Sequence, residues 1–289
     1  MKTRIISGIG IFAVLTFTVM FYNTIFSNIA ALRAFLMSLV EIKNAFNVKN
    51  TRTSFVVLAF VGTYLIMIEY LPIKSAMLPI VVLMACYGIV TVFNFDKIDI
   101  RSVSSSFMYG IYSMVGFFSL ILYKVVLPYN SFDYDATFLF AMSILIAWVG
   151  DSAAYFSGFL FGKHKMAPKL SPKKTIEGAI GGVLWSGVLS VGLLYIYSIL
   201  KQYLTSSSIT IETKTIVLWA LIGVFGYALG MIGDLFASAV KRQVGIKDYS
   251  NLIPGHGGIL DRFDSVIIIS PAFVILSSYI ASQGGLFNV

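Results

Sequence analysis

Residues 238–264, SAVKRQVGIKDYSNLIPGHGGILDRFD, lie between two long apolar runs and resemble neither. The stretch carries Lys241, Arg242, Lys247, Asp248, His256, Asp261, Arg262 and Asp264, in a chain whose charged residues make up only 12% of the total. Its placement decides the fold. Charge confined to a connection between runs of about 20 apolar residues is the pattern of a helical membrane protein, because each run is long enough to cross a bilayer. Both signs of charge beside a Pro-Gly-His-Gly-Gly turn also suit a polyanion held through a metal. Carboxylates take a hard divalent cation, and Lys and Arg take phosphate oxygens. Gly255, Gly257 and Gly258 let backbone N–H groups approach an anion closely.

Outward from this stretch the same alternation repeats. The chain has 289 residues, 58% of them hydrophobic, and a mean hydropathy of +0.87, which excludes a soluble globular domain. About nine apolar runs of spanning length are found, at roughly 5–26, 28–45, 54–71, 76–94, 105–127, 137–160, 178–200, 215–237 and 265–283. The second is the weakest, interrupted by Arg33 and Glu41. The expected fold is an all-α, polytopic bundle of about nine transmembrane helices forming one membrane-embedded domain over 1–289, with spans of little site chemistry in 1–130 and the catalytic spans and loops in 131–289. MKTR opens the chain like a signal peptide, but the apolar run after it is too long and lacks a cleavage site, so it reads as a retained anchor.

The net charge of +8 does not mark a nucleic-acid binder, because the cations sit in the connections and form no basic stripe. With the N-terminus in the cytoplasm, sixteen Lys and Arg fall on the cytoplasmic side against Lys74, Lys124, Lys201 and Lys214 on the other. This asymmetry predicts a cytoplasmic N-terminus and places the 161–177 and 238–264 loops in the cytoplasm. A bacterial-type cytoplasmic membrane fits that topology. The single cysteine, Cys86, forms no intramolecular disulfide.

Two further constellations precede the 238–264 stretch. In DSAAYFSGFLFGKHKMAPKLSPKKTIEGAIGG, residues 151–182, Asp151 falls inside the sixth apolar run, where an acid is costly and marks a functional site or a buried ion pair. The basic loop that follows ends in Ser171-Pro172-Lys173-Lys174-Thr175-Ile176-Glu177. Ser-Pro predicts a helix start, with free N–H groups beside Lys173 and Lys174 forming a triphosphate site; the bland alternative is that these lysines only anchor topology. His164 reads as solvated. At the end of the eighth run, Asp234, Ser238, Lys241 and Arg242 share one helical face, and Asp261 and Asp264 approach the same level from the ninth.

Every fixed position of the 238–264 pattern resembles the phosphatidate cytidylyltransferase (CDP-diacylglycerol synthase) family motif. The Asp-Ser-Ala-Ala-Tyr and Ser-Pro-Lys-Lys-Thr-x-Glu-Gly-x-x-Gly-Gly runs resemble its upstream part, so the likeness covers roughly residues 140–265. The resemblance implies transfer of CMP from CTP to phosphatidate, giving CDP-diacylglycerol and pyrophosphate in phospholipid synthesis. It implies Asp234, Asp261, Lys241, Arg242 and His256 as catalytic-site residues. Substrate contacts would come from Ser171, Lys173, Lys174, Glu177, Ser238, Lys247, Gly257, Gly258 and Arg262. One or two cations, Mg²⁺ first, would be held by Asp234 and Asp261 with Asp264, Asp248 or Asp151. It also implies a homodimer. An attacking phosphate is already ionised at neutral pH, so His256 is read as shaping the turn or hydrogen-bonding phosphate, not as a base. A cytidylyltransferase for another lipid phosphate, such as a prenyl-ether lipid, and an anion transporter are the rival readings. The transporter would more often show internal repeats and broken helices in both halves, whereas the polar chemistry here is confined to the second.

Overall fold

The computed structural model describes residues 2–47, 52–71, 77–93, 99–127, 134–205 and 210–283. Among these, an α-helix occupies each expected apolar run: α1 (Lys2–Met20), α2 (Ile25–Ala45), α3 (Arg52–Ile66), α4 (Met77–Phe93), α5 (Ile100–Val126), α6 (Asp135–Phe161), α7 (Ile176–Thr205), α8 (Thr213–Gln243) and α9 (Leu260–Gln283). Six of them, α2 and α5 to α9, are long and apolar enough to cross a membrane. Among the described residues α1, α3 and α4 contribute the shorter apolar segments Ile6–Met20, Phe55–Ile66 and Val81–Phe93. The chain is a polytopic helical membrane protein. Arg33 and Glu41 do not break α2, which is one of the six. Lys49, Lys74 and Lys97, counted above in the charge asymmetry, lie outside the described residues.

The fold is not purely helical. Strands β1 (Lys165–Ala167) and β2 (Ser171–Thr175) pair antiparallel, with Lys165 opposite Thr175 and Ala167 opposite Ser171. The expected helix start at Ser171-Pro172 is therefore corrected: α7 begins at Ile176. Thr175 caps it, its Oγ1 accepting from Gly178 N at 3.1 Å. Pro172 has no N–H to offer, which a two-stranded hairpin tolerates because each strand keeps an unpaired edge. Ile176 N donates to His164 O at 2.9 Å and carries the pairing to the helix boundary.

The chain divides into two compact units, Met1–Val125 with Lys241–Phe263, and Val126–Val240 with Asp264–Val289. In the first, Phe35, Leu39, Leu58, Phe117 and Ile121 form a buried apolar centre. Ser38 and Ser113 share a hydrogen bond of 2.7 Å within it. Lys124 is buried there too, satisfied by Glu69 Oε2 at 2.6 Å and Asn28 Oδ1 at 2.5 Å. Segment Lys241–Phe263 packs with these helices: Tyr249 donates to the Tyr109 hydroxyl at 2.7 Å, and Phe263 lies 5.2 Å from Phe117 between ring centres.

In the second unit α6 and α7 approach through small residues. A Cβ at Gly178 would lie 2.7 Å from Ala154 O and 3.2 Å from Gly158 Cα, so only glycine lets the backbones come this close. Asp135, wholly buried, is paired with Lys201 at 2.7 Å and accepts from Tyr197 at 2.8 Å. Where α9 passes α8, a Cβ at Gly233 would sit 2.6 Å from Asp264 O.

Candidate active site

The close α6–α7 contact and the hairpin ahead of α7 leave a cavity of about 620 Å³ inside the second unit. Asp151, on α6, faces it beside Tyr227 of α8, whose hydroxyl donates to Asp151 Oδ1 at 3.1 Å. Glycines at 150 and 182 leave room for the Tyr227 ring, which any β-carbon there would strike. Asp234, two helical turns beyond Tyr227, lines the same cavity and forms an ion pair with Lys174. Ser238, one turn further, donates to Asp234 Oδ1 at 3.4 Å. Lys173, Lys165 and Thr175 of the hairpin complete the polar wall, while Tyr155, Phe159 and Met231 supply an apolar one.

Four of the sequence-predicted residues, Asp151, Lys173, Lys174 and Asp234, thus share one cavity. Lys173 and Lys174 come to it on a strand. Ser171 and Glu177 do not line it. Glu177 accepts from His164, backbone N at 3.2 Å and Nδ1 at 2.6 Å, so His164 is not simply solvated. Asp264 is buried, with Oδ1 accepting from Ser265 N at 2.8 Å. Tyr227, Thr175 and Lys165 were missed as site residues. A signal existed for Tyr227: it lies seven residues before Asp234, on the same helical face.

The rest of the predicted set belongs to the first unit. Asp261 is almost wholly enclosed, its side chain 3% exposed. Oδ1 accepts from Lys241 Nζ at 2.8 Å, and Oδ2 from Tyr249 N at 2.8 Å and Gly258 N at 2.9 Å. Gly257 adopts φ +83°, and a Cβ on it would lie 2.9 Å from Asp261 Oδ2. His256 shapes the same turn: its N donates to Ile253 O at 2.9 Å, and Nδ1 lies 2.8 Å from Ser7 Oγ. Ser7 Oγ also donates to Pro254 O at 2.9 Å. Arg242 donates to Ile246 O at 3.3 Å, Arg262 is half-buried, and Lys247 and Asp248 are exposed. Glu41, read from sequence as an interruption of a span, accepts hydrogen bonds from Ser250, Ile259 and Leu260.

Among the described residues no three Asp, Glu, His or Cys side chains come together as a metal cluster. The cavity nevertheless fits Mg²⁺. That ion commonly uses one or two carboxylates and completes its shell with water and substrate phosphates, and Asp151 and Asp234 are two hard-oxygen donors beside two lysines.

Comparison with known proteins identifies the family. The profile of the Cytidylyltransferase family matches residues 2–280. A phosphatidate cytidylyltransferase of Haemophilus influenzae is 36% identical over 166 residues, covering 57% of this chain and 54% of the relative. One of Aquifex aeolicus is 33% identical over 212 residues, 73% of this chain and 70% of the relative. One of Staphylococcus aureus is 40% identical over 136 residues, 46% of each. The matched stretch thus spans about half the length of the first and third relatives. Since the profile runs through nearly all of the sequence and the Aquifex relative aligns over most of its own length, the chain belongs to the cytidylyltransferase family.

Proposed function

We propose that the protein is a CTP:phosphatidate cytidylyltransferase, forming CDP-diacylglycerol and pyrophosphate. The observation that carries this is the Asp234–Lys174 ion pair on the wall of a cavity that also holds Asp151 and Lys173. Two polyanions must meet for a phosphatidate oxygen to attack the α-phosphorus of CTP, so positioning and charge neutralisation are the main tasks. A Mg²⁺ held by Asp234 and Asp151 would supply that neutralisation at the triphosphate. Lys174, paired with Asp234, would also be within the reach of an arriving phosphate, and Asp234 would then be one of the carboxylates available to hold the cation. The Tyr227 hydroxyl holds Asp151 in orientation. Lys241, Arg242 and Asp261 of the 238–264 stretch are catalytic-site residues in this reading, with Lys241 and Arg242 taking the lipid phosphate or the leaving pyrophosphate. Exposed Tyr155 and Phe159 give the cavity an apolar side suited to acyl chains. We further propose nine spans, a cytoplasmic N-terminus and a homodimer.

The direct test supplies purified protein with labelled CTP, phosphatidate and Mg²⁺ and looks for a lipid-soluble cytidine product. A panel of other lipid phosphates identifies the substrate, and label retained only as CTP rejects the proposal. Lys174→Ala is expected to raise KM for CTP on the order of 10- to 100-fold, the worth of a partly buried charge-assisted contact. Lys173, exposed, should change it at most about fivefold. An unchanged KM in both variants would reduce the lysines to topological anchors.

Sidedness is tested separately. With Cys86 replaced, cysteines at Lys165 or Tyr249 are expected to react with an impermeant thiol reagent only from the cytoplasmic face. Labelling from outside intact cells would invert the topology and remove access to CTP. Tyr249 is buried, so its labelling is read against a denatured control.

A further inference from the structure

Glu41 lies outside every motif considered above, on α2, and is 4% exposed. Its carboxylate is fully engaged. Oε1 accepts from Ser250 Oγ at 2.6 Å and Ile259 N at 2.8 Å, and Oε2 accepts from Leu260 N at 2.8 Å. A β-carbon at Gly258 would collide with this carboxylate, so glycine there is what admits it. Residues 259 and 260 open α9, where N–H groups have no helical acceptor and the helix end is positive.

An ordinary cap would be a Ser, Thr or Asp at 259, but Ile259 holds that position and cannot cap. The acceptor comes instead from a residue 218 and 219 positions away. A buried carboxylate is costly unless its bonds are complete, and an acid within a span is by default functional. The residues that follow are Asp261 and Arg262, and Gly258 N is itself bonded to Asp261. The turn is thus gripped by one carboxylate from α2 and another from α9.

We propose that Glu41 is a positioning residue for the transfer reaction: by holding Gly258–Leu260 it fixes the directions in which Asp261 and Arg262 leave the start of α9. This rests on the function proposed above. Glu41→Gln is the discriminating change, because an amide has one acceptor oxygen and must set its NH₂ against at least one of the donors that the two carboxylate oxygens now receive.

The test uses the full chain in lipid nanodiscs and reads kcat, KM for CTP, the folded fraction, and amide exchange of 258–262 with the 165–175 hairpin as internal control. Glu41→Gln is expected to lower kcat per folded molecule about tenfold or more with KM changed less than about threefold, the signature of displaced groups. Exchange at 258–262 should rise about tenfold while the hairpin is unchanged. Ser250→Ala, which removes one of the three bonds, should change each readout less than about threefold. Wild-type kcat per folded molecule in Glu41→Gln overturns the proposal, and so does unchanged exchange at 258–262. If Glu41→Gln does not accumulate, Glu41→Asp, which keeps the charge but withdraws it by one methylene, is read by the same criteria. A wild-type protein that makes no lipid-linked cytidine defeats the proposed function, and the exchange data then still decide whether Glu41 holds the turn.

Discussion

Asp234→Asn is expected to lower kcat by about 100-fold or more while KM for CTP stays level or falls. The amide keeps the size of the side chain and its contact with Ser238 but not the charge that a cation requires. It also removes the partner of Lys174, which is then free for phosphate from the outset. Catalysis and binding therefore move in opposite directions, the reverse of the Lys174→Ala signature. Lys174 and Asp234 keep 25% and 21% of their side-chain surface exposed, so the lost pair should cost only about 1 kcal/mol of stability, and membrane yield should be near wild type. The measurement is a Mg²⁺ titration of turnover at saturating CTP. Near-wild-type kcat at high Mg²⁺ would remove Asp234 from the cation site.

The helices were legible because a bilayer imposes one length on every crossing, and the apolar runs near 28–45, 105–127, 137–160, 178–200, 215–237 and 265–283 each became a helix of spanning length. Asp151, Lys173, Lys174 and Asp234 were each legible as candidates, since acids in apolar runs and lysines beside them have few bland uses, but their sharing of one cavity was not: spacing along the chain grouped Asp234 with Lys241 and Asp261 instead. What failed was local. Ser-Pro is as compatible with a hairpin edge as with a helix start, and the choice was made by Lys165–Ala167, a partner strand too short to show any periodicity. Glu41 looked like a flaw in α2 because its partners lie 209 to 219 residues away. The Asp151–Tyr227 contact, 76 residues apart, was hidden for the same reason.

Asp261→Asn is expected to remove activity and, unlike Asp234→Asn, to weaken the protein as well. Its carboxylate serves three donors, Lys241 on one oxygen and two backbone N–H groups on the other. An amide can face only one side with oxygen. The other side then meets an NH₂ group, leaving either a buried ammonium or two buried N–H groups unsatisfied. Each stranded N–H costs about 1–3 kcal/mol, and breaking a buried ion pair about 3–5 kcal/mol, so a loss of roughly 3 kcal/mol is expected in either rotamer. Lys241→Met should be milder in stability, because Asp261 keeps both N–H donors and a flexible apolar chain replaces the lysine stem. The double variant should lose less than the sum of the two single ones, since the ammonium that Asn strands is then absent. Thermal unfolding in detergent checks these orders, and a Mg²⁺ titration checks the role. Asp261→Asn with wild-type stability and activity restored by Mg²⁺ would make Asp261 chiefly a cation ligand. Loss of both, unrelieved by Mg²⁺, identifies it as the carboxylate on which the Pro-Gly-His-Gly-Gly turn is folded.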